Sequence, residues 1–186
     1  MNDTKYVSYW HDSSPTFANS CDGPHGHYDF AIIGAGFTGL GAARKLAKSG
    51  ARVAVLEAQK VGFGASGRNG GHLNNGLAHS FLDACNQFGQ EVAVAMYRTF
   101  DDGIETIERI IEEEQIDCDF RRSGKLKLAS KPKHMDDIAK NFAALNALVD
   151  PETTLLTRDE LKSEIGSPAF HGAMLQPKSS MMHMGR

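Results

Sequence analysis

The sequence is poor in cysteine, in excess charge and in long apolar runs. Its three cysteines lie far apart without a Cys-x-x-Cys spacing, which argues against a disulfide framework and against a zinc site. Its net charge of −3 comes from 20 basic and 23 acidic residues, and no basic stripe suits a nucleic-acid backbone. We therefore expect reduced structural thiols, no metal site and no nucleic-acid partner.

Membrane and secretion signals are also missing from the sequence. No apolar run reaches the length of a membrane span, and the N-terminus lacks the charged-then-apolar pattern of a secretory signal. The composition, 41% hydrophobic and 23% charged, is typical of globular proteins. These features predict a cytoplasmic protein with no membrane span.

Residues 1–27 are rich in Ser, Asn, Pro and Gly, which predicts an extended N-terminal arm. Aromatic residues in a polar tail seldom stay fully solvated, so Tyr6, Tyr9 and Trp10 are candidate anchors on the domain or on a partner subunit. The arm also carries three loosely spaced histidines. Nothing in their spacing fixes the geometry of a metal site.

A glycine-rich turn stands between an apolar strand and a helix. The apolar run Phe30 to Ile33 predicts a buried parallel strand, and an apolar stripe from Thr38 to Lys48 predicts the helix. Gly34 permits a tight turn, Gly36 removes a Cβ that would block a pyrophosphate, and Gly39 lets the helix approach its strand. The helix N-terminus adds N–H groups and a positive dipole end. The turn therefore predicts phosphate binding by Gly34, Ala35, Gly36, Phe37, Thr38 and Gly39.

A second strand rich in β-branched residues is predicted from Arg52 to Leu56, with Gly50 as the left-handed cap of the preceding helix. Glu57 stands at the carboxyl end of this strand, eighteen residues after Gly39. An acid there accepts hydrogen bonds from ribose hydroxyls and repels a 2′-phosphate. Strand, turn, helix, strand and acid together predict a dinucleotide-binding βαβ unit.

A second glycine-rich loop, Gly62 to Gly71, follows the acid directly. A nicotinamide-dependent enzyme usually continues toward its next strand at this point, so the second loop favours a larger, more enclosed cofactor. The sequence therefore favours a flavin, and a nicotinamide-binding protein is the disfavoured alternative.

The Ala-Ser-Gly-Arg-Asn-Gly-Gly signature within Val61 to Leu73, together with Gln115 to Phe120, resembles the D-amino-acid-oxidase-like (DAO) superfamily of FAD-dependent oxidoreductases. Within it, the resemblance is to γ-glutamylputrescine oxidoreductase-like enzymes. This resemblance implies FAD as the cofactor and a small-molecule amine, such as a γ-glutamylated polyamine or an amino acid, as the substrate. It implies oxidation to an imine by hydride transfer to flavin N5. The residues that it implies for cofactor contact are Ala65, Ser66, Arg68, Asn69, Gly70, Gly71 and His72.

The resemblance also shapes the expected domain organisation, because the family uses more than twice the 186 residues present. We predict an α/β fold with a Rossmann-type FAD-binding βαβ unit, an interleaved α+β substrate-side region, and the C-terminal half of the fold missing. The predicted divisions are an N-terminal arm at 1–27, the Rossmann half at 28–80 and a partial substrate-side domain at 81–186. Two functions remain open: an FAD-dependent amine oxidoreductase, or a catalytically inactive fragment that binds FAD, self-associates or joins its missing C-terminal portion.

Periodicity predicts the elements beyond Gly71. Ser80 caps a short helix, and a long helix follows with a solvated acidic face. Its predicted inward stripe is Val92, Ala95, Met96, Phe100, Ile104, Ile107, Ile110 and Ile111. The remaining predicted elements are a strand within Cys118–Ala129, a helix from Lys133 to Leu148, a capping box at Thr157–Glu160 that opens a short helix, and a strand from Phe170 to Leu175.

No catalytic residue is assigned from the sequence. His72 follows the double glycine, and a covalent attachment of FAD there is an open but disfavoured alternative. His183 is more typical of a satisfied structural imidazole than of a catalytic one. Arg121 and Arg122 are candidates for a substrate carboxylate, but surface ion pairs are favoured.

Overall fold

The computed structural model describes residues 4–15, 17 and 23–186. The chain divides into two compact units, the first formed by Met1–Gly71 with His183–Arg186 and the second by His72–Met182. The N-terminal arm belongs to the first unit, and the chain passes into the second unit after Gly71, ahead of the predicted boundary at residue 80.

The first unit contains the predicted βαβ arrangement. Strand β1 (Phe30–Ile33) pairs in parallel with strand β2 (Val53–Leu56), with Phe30 opposite Val53 and Ile33 opposite Leu56. The predicted α/β fold class with a Rossmann-type unit is confirmed. The elements of this unit are α1 (Tyr9–Asp12), β1 (Phe30–Ile33), α2 (Phe37–Lys48), β2 (Val53–Leu56) and a 3₁₀ turn (Ala65–Gly67).

Glycines close both ends of the βαβ crossover. Gly34 has a φ of +98°, a conformation that an L side chain rarely adopts, and this lets the chain turn from β1 into α2. Gly50 has a φ of +90°, and its N–H donates to Ala47 O at 2.9 Å. The predicted left-handed cap of α2 is therefore confirmed.

The prediction that β1 is buried is wrong for this structure. Ile33 is 89% exposed and Phe30 is 47% exposed. Within the part of the chain that the structure describes, β1 pairs with β2 alone and α2 contacts both strands, so one edge of β1 remains open.

The second unit combines helices with two small antiparallel sheets. Its three-stranded sheet has the order β4 (Lys125–Leu128), β6 (Gly172–Gln176), β5 (Thr154–Thr157), and β3 (His72–Leu73) pairs with β7 (Ser180–Met181). Its elements are β3 (His72–Leu73), α3 (Phe81–Phe88), α4 (Gln90–Glu114), β4 (Lys125–Leu128), α5 (Pro132–Leu148), β5 (Thr154–Thr157), a 3₁₀ turn (Glu160–Ser163), β6 (Gly172–Gln176) and β7 (Ser180–Met181).

Both predicted capping motifs are present. Ser80 Oγ accepts a hydrogen bond from Asp83 N at 3.1 Å, which satisfies an otherwise unpaired donor at the start of α3. Thr157 N donates to Glu160 Oε2 at 2.8 Å, and Glu160 N donates to Thr157 Oγ1 at 3.3 Å. This confirms the capping box, and the short helix predicted after it is a 3₁₀ turn at Glu160–Ser163.

Two predictions for the second unit need correction. The strand expected within Cys118–Ala129 is confined to Lys125–Leu128, because positive φ angles of +51° at Asp119 and +68° at Gly124 interrupt the extended backbone before it. Ile104 of the predicted stripe is buried in α4, but in the N-terminal half of the helix the buried residues are Ala93 and Tyr97, which the stripe does not contain. Its predicted members Val92 and Phe100 are 48% and 45% exposed.

The shifted face of α4 follows from its neighbours. Tyr97 packs in one apolar cluster with Phe81, Ala84, Ala93 and Leu145, which come from α3, α4 and α5. A tyrosine can occupy such a core when its hydroxyl finds partners. A sequence pattern that counts only apolar residues therefore misidentifies the buried face in the N-terminal half of α4.

The partners of Tyr97 form a buried polar cluster, defined here as Asn75, Tyr97, Asp150, Gln176 and Ser179. The Tyr97 hydroxyl accepts from Gln176 Nε2 at 2.7 Å and from Asn75 Nδ2 at 2.9 Å, and it donates to Asp150 Oδ2 at 3.1 Å. Burial raises the pKa of Tyr97, so the hydroxyl keeps its proton. A cavity of 230 Å³ lies beside the cluster.

Candidate functional site

The turn between β1 and α2 brings backbone donors to one place. Gly36 is the N-cap of α2 in an extended conformation, and it provides no side-chain cap for the first helical turn. The N–H groups of that turn have no acceptor within the helix, so they are suited to an anion. A Cβ at Gly39 would lie 1.9 Å from Gly34 O, which shows how closely helix and turn approach.

Glu57 closes the turn from the end of β2. Its Oε2 accepts from Ala35 N at 2.8 Å, and its Oε1 accepts from Gln59 N at 2.9 Å. These hydrogen bonds, with that from Ala35 the strongest cause, hold the pKa of Glu57 below its usual range. A carboxylate has about four acceptor positions, so Glu57 can accept from a further donor, and its side chain is exposed.

The two glycine-rich segments meet in the first unit. Gly62 N donates to Ala35 O at 2.9 Å, and Phe37 N donates to Ser66 Oγ at 3.0 Å. A Cβ at Gly36 would lie 2.9 Å from Ser66 Oγ, so a side chain there would require the Ser66 hydroxyl to move. The structure therefore brings together the turn, Glu57 and Ser66.

The loop from Gly62 to Gly71 is called the signature loop below. Hydrogen bonds from the side chain of Asn69 hold its conformation. Asn69 Nδ2 donates to Ser66 O at 2.9 Å and to Ala65 O at 3.1 Å, while Asn69 Oδ1 accepts from Gly71 N at 2.9 Å. The exposed Arg68 places its guanidinium carbon 4.1 Å from the centre of the Phe63 ring. Its charge is held at the loop surface by this cation–π contact.

The other candidate residues have different surroundings. His72 is exposed and opens the second unit in β3, opposite Met181. Arg122 forms an ion pair with Glu108, which confirms the favoured prediction of a surface ion pair for this arginine. Across the described ranges 4–15, 17 and 23–186, no three His, Cys, Asp or Glu side chains are grouped in a way that could hold a metal ion.

His183 is a structural residue of the first unit, as its pattern predicted. Gly185 N donates to its Nδ1 at 3.2 Å, and its Nε2 lies 2.9 Å from Ser13 Oγ. The acceptor role of Nδ1 places the proton on Nε2 in the neutral ring, so Nε2 donates to Ser13.

Comparison with known proteins gives the family. Residues 29–186 match the model of the family described as FAD dependent oxidoreductase, DAO. The chain belongs to this family. The family is FAD-dependent, and FAD is therefore the cofactor of this chain.

No helix within the described ranges is long and apolar enough to cross a membrane.

Individual relatives agree with the family match. The chain is 35% identical over 164 residues to a probable oxidoreductase OrdL of Haemophilus influenzae, covering 84% of this chain and 36% of the relative. It is 33% identical over 155 residues to gamma-glutamylputrescine oxidoreductase of Escherichia coli, covering 83% and 36%. The structure of glycine oxidase from Geobacillus kaustophilus matches with a TM-score of 0.66 at 26% identity, covering 85% and 41%. The chain thus spans little more than a third of the length of these curated relatives.

Sequence reasoning did not predict that three residues of the N-terminal arm contact the signature loop. Ser8 donates through Oγ to Gly67 O, Trp10 Nε1 donates to Asn69 O at 2.8 Å, and His11 Nε2 lies 3.2 Å from Gly62 O. The aromatic residues in the polar arm indicated an anchor, and Trp10 confirms it, whereas Tyr6 is 99% exposed. No local signal named the target, because donor and acceptor lie 59 residues apart for both Ser8 and Trp10.

Proposed function

We propose that the first unit holds FAD across the Gly34 to Gly39 turn, Glu57 and the signature loop. We also propose that the protein oxidises an amine to an imine. The observation that supports the cofactor site is the joining of the two glycine-rich segments through Gly62 N to Ala35 O and Phe37 N to Ser66 Oγ. It places Gly62 and Ser66 of the signature loop directly beside the turn and the N-terminus of α2, the helix end that favours an anion.

In this proposal, different residues of the chain bind different parts of FAD. The first turn of α2 binds the pyrophosphate, and Gly36 lets it approach the backbone. Glu57 accepts from ribose hydroxyls through the lone pairs that Ala35 and Gln59 leave unused. Arg68 offers positive charge to the phosphates, and Gly70 at the end of the loop permits close approach of the ring-proximal part.

When bound, FAD supplies the electron-accepting ring that takes a hydride from the carbon beside the amine nitrogen. The amine must react in its neutral form, so the protein's task is to exclude water and orient the substrate. The substrate class, an amine such as a γ-glutamylated polyamine or an amino acid, is supported by the name of the relative in Escherichia coli at 33% identity.

The first experiment is a visible absorption spectrum of the purified, desalted 186-residue chain, with an acid-released supernatant analysed beside it. We expect flavin absorption bands and released FAD. A folded, colourless chain that takes up no added FAD would overturn the cofactor site.

Matched variants then test the residues. Gly36→Val should prevent FAD retention, because its Cβ alone would lie 2.9 Å from Ser66 Oγ, whereas Gly41→Val on the same helix faces open space. Glu57→Ala should weaken FAD binding about 10- to 100-fold, the effect expected when hydrogen bonds to a charged group are lost. Glu160→Ala is its control, since Glu160 is also an exposed glutamate that accepts a backbone N–H. Equal flavin content in all four variants would contradict the assignment.

A second candidate is FAD binding without amine turnover by this chain. It is favoured by the open edge of β1, where Ile33 is 89% exposed beside the turn, because a site that admits water suits amine oxidation poorly. Anaerobic mixing of the FAD-loaded chain with an amine panel separates the candidates. Bleaching of the flavin absorbance supports turnover, and an unchanged spectrum with every amine supports binding alone.

A further inference from the structure

The N-terminal segment Ser8–Ser14, called the strap below, binds the signature loop through backbone carbonyls. Ser8 Oγ donates to Gly67 O and Trp10 Nε1 donates to Asn69 O at 2.8 Å. His11 Nε2 lies 3.2 Å from Gly62 O, and because a carbonyl only accepts, this contact requires the proton on Nε2. Three carbonyl groups along the loop are therefore satisfied by one short segment.

Ring contacts add to these hydrogen bonds. His11 stacks nearly parallel to Phe63, with ring centres 6.0 Å apart and an interplanar angle of 9°. The same Phe63 ring forms the cation–π contact with the guanidinium of Arg68. A Cβ at Gly67 would lie 2.5 Å from His11 Nε2, so the strap also occupies the space that a side chain at Gly67 would need.

The strap itself is fixed by the returning segment at His183. A directed chain of hydrogen bonds runs from Gly185 N to His183, from His183 to Ser13 Oγ, and from Ser13 Oγ to Tyr9 O at 2.5 Å. Trp10 meets the His183 ring edge to face, with ring centres 4.8 Å apart. Trp10 is thus held on one side by His183 while its Nε1 bonds to the loop.

The Trp10 hydrogen bond has a geometric consequence for the loop. The Asn69–Gly70 peptide is planar, and its C=O and N–H point in opposite directions. Because Trp10 Nε1 donates a hydrogen bond to Asn69 O at 2.8 Å, the N–H of Gly70 points away from the strap. A peptide of a glycine-rich loop would otherwise rotate readily, and fixing it in advance lowers the entropy that a ligand must remove on binding.

We propose that the strap is part of the FAD site, and that Trp10 and Ser8 are positioning residues. They hold the ring-proximal end of the signature loop in its FAD-binding conformation without touching FAD. This inference rests on the proposed function, because it assumes that the loop binds FAD.

The test compares FAD and ADP dissociation constants of the full 186-residue chain by equilibrium dialysis. Trp10→Phe keeps an aromatic ring but removes the donor to Asn69, and Ser8→Ala is a milder variant that removes the donor to Gly67. Tyr6→Phe is the control, since Tyr6 is 99% exposed and lies outside the strap. ADP contains the adenosine and pyrophosphate of FAD but lacks the part that reaches Gly70.

We expect each positioning variant to weaken FAD binding roughly three- to tenfold, the range for one lost neutral hydrogen bond. The ADP dissociation constant should change by less than twofold. A purely structural role would weaken both ligands alike, so the FAD-to-ADP split is the decisive readout. The unliganded variants are also checked by circular dichroism, and Ser8→Ala carries the test if Trp10→Phe does not fold.

The single tryptophan of the chain gives a second readout, because Trp10 lies at the loop itself. FAD added to the parent chain should quench Trp10 fluorescence with the same midpoint as the dialysis curve. If the parent binds no FAD, the proposed function fails and this inference fails with it. If the parent binds FAD while Trp10→Phe and Ser8→Ala bind it as tightly, or lose ADP equally, the strap proposal alone is overturned.

Discussion

Gly39 and Gly41 lie two residues apart in α2, and they should respond to the same substitution in opposite ways. A Cβ at Gly41 meets no atom within 4 Å, whereas a Cβ at Gly39 would lie 1.9 Å from Gly34 O and 3.4 Å from Ile32 Cγ2. Alanine in a helix interior gains about 0.5–1 kcal/mol over glycine. Gly41→Ala should therefore stabilise the first unit by about that amount.

Gly39→Ala gains the same helix propensity but forces the turn at Gly34 to move. Overpacking a close contact costs about 1–3 kcal/mol, and the obstructing atom here belongs to the backbone, which yields less readily than a side chain. Subtracting one variant from the other removes the propensity contribution. We therefore expect Gly39→Ala to be about 1–3 kcal/mol less stable than Gly41→Ala.

Urea unfolding followed by Trp10 fluorescence measures this difference, because the only tryptophan belongs to the first unit. The midpoint should fall for Gly39→Ala and rise for Gly41→Ala with similar slopes. Equal midpoints for the two variants would refute the close approach of helix and turn.

The remaining predictions concern acid, hydroxyl and thiol groups. The lowered pKa of Glu57 should stabilise the first unit fully above its usual value of 4.5, and this contribution should vanish as the pH falls through the lowered pKa. A pH series of Trp10-monitored unfolding should show the loss in the parent but not in Glu57→Gln. Tyr97→Phe should cost about 1–3 kcal/mol by leaving buried partners unpaired, measured by circular dichroism; an unchanged midpoint would contradict the polar cluster. Cys118 is 3% exposed and burial raises its pKa, so iodoacetamide should label Cys85 before Cys118, as mass spectrometry would resolve; faster labelling of Cys118 would refute this.

The local chemistry of the βαβ unit made it predictable from the sequence. The turn conformation at Gly34, the cap at Gly50 and the position of Glu57 at the end of β2 each follow from a residue and its immediate neighbours. The strand Phe30–Ile33 has the predicted bounds, and the helix at Phe37–Lys48 starts one residue earlier than predicted. The contacts of the predicted cofactor residues with FAD remain a prediction.

Features that depend on tertiary contact were not predictable. The burial of β1 depends on which strands stand beside it, and the buried face of α4 depends on the partners of the Tyr97 hydroxyl. The contacts of Trp10 with Asn69 and His183 join segments that no local pattern connects. In each case the sequence specified the element or the residue type, and long-range packing chose its partner.

The path of the chain between the two units has a consequence for the order of folding during synthesis. The second unit is one continuous stretch, His72–Met182, whereas the first unit needs both Met1–Gly71 and His183–Arg186. A ribosome delivers residues from the N-terminus, and a domain can fold only after all its segments have emerged. We therefore expect that the continuous second unit can fold before His183 has left the exit tunnel. The strap can form its contacts with His183 only after that.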